Sequence, residues 1–167
     1  MKALMISADR FEDTELLVPL YRLQEERIAV DIAALQEGPI TGLHGYRVAA
    51  NRALENVDPA AYDLLLLPGG KAPAALREHA AALALAGHFF EERKPVAAIC
   101  HGPQILAAAD VLQGMQVTCV ASVAAEVEAA GADYVDREVV VDANLITSRT
   151  PDDLPAFLRE TMRAIRP

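Results

Sequence analysis

The chain is poor in several of the residues on which protein chemistry most often depends. Its 167 residues include two cysteines, Cys100 and Cys119, too few for a disulfide framework. Serine occurs at positions 7, 122 and 148, and none of these lies in a Gly-x-Ser-x-Gly sequence, which excludes serine hydrolysis of that kind. The four histidines, His44, His79, His88 and His101, form no His-x-x-x-His pair, and Cys100 and Cys119 stand far apart, so neither a metal nor a cofactor is expected. No apolar run approaches the ~18 residues of a membrane span. A formal charge of −9 argues against nucleic acid or an anionic membrane as the main partner. The opening residues reach Asp9 too soon for a signal peptide, and the expected compartment is a reducing cytoplasm in which Cys100 stays a thiol.

What is present is apolar and regularly spaced. With 53% hydrophobic residues and no linker, repeat or low-complexity tract, residues 1–167 are expected to form one domain. Residues 3–7, 28–35, 62–67, 96–99, 117–120, 138–142 and 144–148 read as strands. Between them, Leu16, Leu17, Leu20 and Leu23 recur at helical spacing behind a cap at Asp13 or Thr14, with Pro19 tolerable only near the first turn. Further helices are expected over 80–92, over 104–109, and after a cap at Asp152 or Asp153. Residues 38–48, punctuated by glycine, read either as a hairpin at the sheet edge or as a surface loop. Strands alternating with helices predict a doubly wound α/β sandwich, a mostly parallel sheet with helices on both faces.

The most informative stretch is Val96-Ala-Ala-Ile-Cys100-His101-Gly102-Pro103, where a buried strand ends on a cysteine and a helix follows at once. That arrangement is a nucleophile elbow, which lifts the side chain above the sheet and strains its backbone by about 1–3 kcal/mol. Gly102 would allow another backbone, or a substrate, to come close. A helix N-terminus favours an anion, so the thiol is expected to titrate below the free value of about 8.5. Cys119, in Val117-Thr-Cys-Val, reads as a buried strand cysteine.

In such a sheet the site lies beyond the carboxyl ends of the strands, and three segments arrive there. Residues 9–15 carry four acids, of which Glu15 is the first choice and Glu12 the second for a carboxyl at the thiol. It could donate a hydrogen bond when protonated or orient a substrate amine when ionised, or these acids could simply complement the helix dipole. Pro68-Gly69-Gly70 suits an oxyanion hole, its glycines opening the backbone to substrate; with the His101 amide it would supply two donors, each worth on the order of 3 kcal/mol. The same glycines could equally serve a tight turn. His101 can act as base or thiolate stabiliser, although neighbouring side chains at an elbow diverge and the ring would need an outside acid. No histidine follows His101, which argues against the class I glutamine amidotransferases.

These residues, with Phe11-Glu12-Asp13-x-Glu15, Ile40-Thr-Gly-x-His-Gly-Tyr46, Leu67-Pro-Gly-Gly70-x-Ala-Pro73 and Val139-Val-Val-Asp-x-Asn144, closely resemble the ThiJ/PfpI family, and most of all its PfpI-type intracellular cysteine peptidases and general stress proteins. The resemblance implies a flavodoxin-like fold, Cys100 as nucleophile, Glu15 as the carboxyl touching its sulfur, His101 beside it, and the Gly70 and His101 amides as oxyanion donors. It further implies a homo-oligomer, dimer or higher, acting on a small-molecule or protein-adduct substrate. Family activities span glyoxalase or deglycase chemistry on reactive aldehydes, peptide hydrolysis, and redox-linked or chaperone-like stress protection. Peptidase members carry a glutamate where this chain has Ala74 and a tyrosine where it has Val120. The expected function is therefore a stress-protective cysteine enzyme of the glyoxalase or deglycase type, with peptidase and non-enzymatic redox roles as alternatives.

Overall fold

The computed structural model describes residues 1–166. In chain order, β1 (Lys2–Ile6) runs into α1 (Asp13–Glu25) and β2 (Ala29–Ala34), after which β3 (Gly38–Thr41) and β4 (Arg47–Ala50) form an antiparallel hairpin and β5 (Arg52–Ala53) returns beside β2. β6 (Leu64–Leu67) is followed by α2 (Ala72–Leu76) and α3 (Ala80–Glu91), and β7 (Val96–Ile99) by α4 (Pro103–Ala108). An excursion through β8 (Gln116–Val117), α5 (Ala124–Ala129) and β9 (Asp133–Tyr134) precedes the hairpin of β10 (Val139–Asp142) and β11 (Leu145–Ser148) and the closing α6 (Leu154–Ile165).

The central sheet has the order β10-β11-β7-β6-β1-β2-β5 and is parallel except for β10. Its inner strands, β2-β1-β6-β7-β11, follow the flavodoxin-like order, with the change of direction between β1 and β6. Every residue of β6 and β7 is buried, as continuous apolar runs covered on both faces must be. One face is covered by α1 and α6, the other by α2, α3 and α4. Among the described residues no helix is long and apolar enough to cross a membrane.

Several local expectations are corrected. Pro19 sits in the second turn of α1, buried, and the helix continues through it, because proline's fixed φ is helical and the loss is one hydrogen bond to the Glu15 carbonyl. Asp13 lies inside α1, one residue past its N-cap, and Asp153 holds the N-cap position of α6 but gives no side-chain capping hydrogen bond. The Asp13 carboxylate accepts from the amides of His44 and Tyr46, tying the β3–β4 loop to the start of α1, and Asp153 takes the Arg149 guanidinium. The strand expected over 117–120 stops at Val117 and pairs only with β9. The amides beyond it are taken elsewhere, Thr118 by the Thr147 hydroxyl and Val120 by the Cys100 carbonyl, so Cys119 is buried in a loop.

One polar cluster fastens the β2 end of the sheet. Asp31, on β2, accepts from Lys2 Nζ, Tyr62 Oη and Asn51 Nδ2, each at 2.7 Å, and lies 3.2 Å from Arg52 Nε. These partners overcome the cost of burial and hold its carboxyl down at about 2. Removing it should leave Lys2 and Tyr62 without their acceptor and cost about 2 kcal/mol, lowering Tm by about 4–8 °C for a chain of this size. Thermal unfolding of Asp31→Ala checks this, and the deficit should shrink as pH falls from about 4 towards 2, where the wild-type carboxylate itself is lost.

Candidate active site

The carboxyl ends of β1, β6 and β7 place three loops together, and the loop contacts explain how. Residues 10–12 and 69–71 are stitched by Glu12 N–H to Gly69 O at 3.2 Å, Lys71 N–H to Arg10 O at 2.8 Å, and an antiparallel bridge between Phe11 and Gly70. Gly70 has φ +79°, and a Cβ there would strike the Glu12 backbone, so the stitch requires glycine.

Cys100 follows β7 with φ +62°, a left-handed conformation that disfavours a side chain by about 1–2 kcal/mol. Its backbone is fixed on both sides: the amide donates to Ser148 O on β11 at 3.0 Å, and the carbonyl accepts from Val120 N–H at 3.2 Å. Gly102 closes the turn by donating to Ile99 O at 2.8 Å, and a Cβ at this position would run into the Leu67 carbonyl. The elbow expected from sequence is present, and its strain is held by three neighbouring segments.

A cavity of about 390 Å³ opens above the sulfur, within the range of small-ligand sites. Glu12, Glu15, Gly70, Cys100 and His101 all line it, together with Leu43, Lys71, Ala74, Gln104 and Pro151. Gly69 and Gly102 do not. The Gly69 amide is spent on Glu15, and Gly102 packs beneath the elbow against β6, so the substrate contacts expected of these two glycines give way to scaffolding. Among the described residues no group of three or more His, Cys, Asp or Glu side chains is arranged to hold a metal ion.

Glu15 is fully buried beside the sulfur. Its Oε2 accepts from Gly69 N–H at 2.8 Å, and Oε1 has no hydrogen-bond partner. Burial is the main reason its carboxyl is pushed up to about 7, with the Gly69 amide and the Cys100 side chain opposing and the Glu12 charge adding. The thiol moves against expectation. Desolvation first, and the Glu15 charge second, push Cys100 up to about 12, outweighing the Gly70 and His101 amides that point at the sulfur. The helix that was to lower it, α4, is only six residues long and too weak to overcome burial.

His101 Nδ1 lies 3.2 Å from Cys100 Sγ, so the two side chains converge rather than diverge. Burial lowers the imidazole below its usual value, the Lys71 charge also lowers it, and Glu126 raises it. Glu12 faces the cavity from the rim, where Oε2 meets His44 Nε2 at 3.2 Å and Oε1 accepts from the Thr14 hydroxyl. His44, itself exposed, meets the site through this contact with Glu12. Ala74 offers the cavity a methyl group, and Val120 supports the Cys100 backbone from behind.

The model of the DJ-1/PfpI family matches residues 1–164. A deglycase of Thermococcus kodakarensis, TK1284, is 49% identical over 99% of this chain and 100% of its own length, and the deglycase PfpI of Pyrococcus furiosus is 46% identical with the same coverage. Among solved structures, a two-domain protein from Anabaena variabilis containing DJ-1/ThiJ/PfpI-like and ferritin-like domains superposes with a TM-score of 0.95 at 32% identity, covering 97% of this chain and 47% of that one. With a matching family model over nearly its whole length and relatives at close to half identity, the chain belongs to the DJ-1/PfpI family.

Proposed function

We propose that the chain is a cysteine-dependent hydrolase of the deglycase and glyoxalase type, with Cys100 adding to reactive carbonyl compounds. The observation that carries this reading is the placement of a buried, partly unpartnered carboxyl and two backbone donors around one strained thiol. The deglycase names of its relatives support it. Stress protection in a reducing cytoplasm, as a homo-oligomer, belongs to the same reading.

In the first step the ionised Glu15 takes the thiol proton. This transfer removes the charge that most opposes the thiolate after burial, and leaves the sulfur beside a neutral acid and the Gly70 and His101 N–H groups. The sulfur lone pair then forms a bond to the aldehyde carbon of a 2-oxoaldehyde, and the carbonyl electrons move onto oxygen. The same two amides are in reach to steady that alkoxide, which recovers the proton from Glu15 to give a hemithioacetal. The hydrogen on that carbon is acidified by the adjacent ketone. His101, held uncharged by burial, removes it as a proton and returns it to the neighbouring carbon, while the hemithioacetal hydroxyl proton passes by way of the Glu15 carboxylate to the former ketone oxygen, giving a 2-hydroxy thioester that water cleaves to the acid and the free thiol. Peptide hydrolysis is less well served, since Ala74 contributes no acid to the histidine.

Methylglyoxal turnover should be present in the wild type and fall by at least about 100-fold in Cys100→Ser; full activity in that variant would sink the mechanism. Glu15→Gln should lose a comparable factor, and wild-type activity should rise with pH through about 7 as Glu15 ionises.

The same residue makes a separate prediction for stability. Between the ordinary value of 4.5 and about 7 the folded carboxyl keeps a proton that the unfolded one has released, so wild-type stability should decline across that window and level off above it. Glu15→Gln removes the decline. At pH 8 the variant should therefore be more stable than wild type by about 3 kcal/mol, read by denaturant unfolding at both ends of the window.

A further inference from the structure

The imidazole of His101 must accept a proton in the course of the chemistry, and a half-buried imidazolium needs a counter-charge. Glu15 is committed to the other side of the sulfur, Glu12 to His44 and Thr14, and Ala74 supplies nothing. One further carboxylate stands behind the cavity wall, in contact with a residue that lines it. Glu126, from α5, accepts from the Gln104 side-chain amide at 2.9 Å through Oε2, and from the Arg77 guanidinium through Oε1. Gln104 lines the cavity, and its backbone amide donates to the His101 carbonyl at 3.0 Å, so Glu126 is tethered to a side chain that stands one helical turn from the histidine.

We propose that Glu126 is the positioning acid of His101, held behind the cavity-lining Gln104 by Arg77 so that a single chain supplies the carboxylate that the Ala74 position does not. Its charge is among those that act on the imidazole and favours the protonated ring, with Lys71 opposing it from the loop before α2. The remaining charged or titratable groups around the ring are Cys100 in contact and, across the sulfur, Glu15 and Glu12. Arg77 serves to hold Glu126. The two donors fix the position of the carboxylate; the Gln104 amide is neutral, while the Arg77 charge partly offsets the field of Glu126 at the ring. The inference rests on the proposed function only for the kinetic part of its test.

The decisive measurement is the titration of His101 by histidine NMR in the wild type, Glu126→Gln, Glu126→Asp and Arg77→Met. If Glu126 acts through its charge, the His101 midpoint falls by about 0.5 pH units or more in Glu126→Gln, stays near wild type in Glu126→Asp, and holds or rises in Arg77→Met, where a positive charge has been removed. If Glu126 only ties α5 to α2, Glu126→Gln leaves the midpoint in place, or Arg77→Met lowers it equally, and either result overturns the proposal. Should Glu126→Gln fail to fold, Arg77→Met decides alone, a fall in its midpoint being the contrary result. In methylglyoxal turnover, kcat of Glu126→Gln should drop by about threefold or more with KM within about twofold. A wild type inactive on methylglyoxal would count against the proposed function and leave the titration result standing.

Discussion

A carboxyl and a thiol buried side by side cannot both be charged at modest cost, and the architecture around Cys100 follows from that constraint. Glu15 and Cys100 each lie in a water-poor pocket and each shifts towards its neutral form; the Glu15 charge makes the thiol harder to ionise, while the thiol, as a hydrogen-bond donor, eases ionisation of the carboxyl. Only one negative charge is comfortable between them. The Gly69 amide serves the carboxyl, while the Gly70 and His101 amides serve the sulfur, so that charge has donors wherever it resides. Burial raises the thiol, and in the proposed mechanism it makes the pair a proton-transfer unit: moving the proton relocates the charge without adding one.

Holding that pair in place occupies much of the local backbone. The left-handed Cys100 is gripped from β11 and from the Val120 loop, Gly102 sits against the Leu67 carbonyl, and Gly70 crosses the Glu12 backbone. Three strands and two loops thus converge on one residue, and the strain at Cys100 persists because the surrounding contacts over-determine its conformation.

The parts that could be read in the sequence are those set by short-range rules. Residues 62–67 and 96–99 announce buried strands by their continuous apolar runs, and the Cys-His-Gly-Pro junction announces the elbow. Glu15 is legible because the helix begins close to it. The remainder depended on contacts distant in sequence. The titration of Cys100 runs opposite to the sequence-based expectation because a helix N-terminus is visible in sequence and desolvation by the surrounding fold is not. Residues 117–120 carry strand-forming side chains, yet their amides are claimed by Thr147 and Cys100. Asp13 and Asp153 have the composition of caps and were drawn off by the β3–β4 loop and by Arg149. Gln104 and Glu126 gave no signal at all, since a glutamine on a helix and an acid in an alanine-rich stretch look like solvated surface until α4 and α5 meet.

The use of Asp13 as a tether has a broader implication. The loop between β3 and β4 brings Leu43 into the cavity wall and His44 against Glu12, but it is joined to the residues 9–15 segment by the Asp13 carboxylate, the Leu43 amide on Phe11 O and the His44 contact, not by the sheet. The groups around the Cys100 sulfur and part of the cavity wall therefore sit on separately anchored pieces of chain. Changes in the loop tip can reshape what is admitted while leaving thiol, carboxyl and amide donors untouched, so a lineage built on this scaffold can diversify its substrates without reinventing its chemistry.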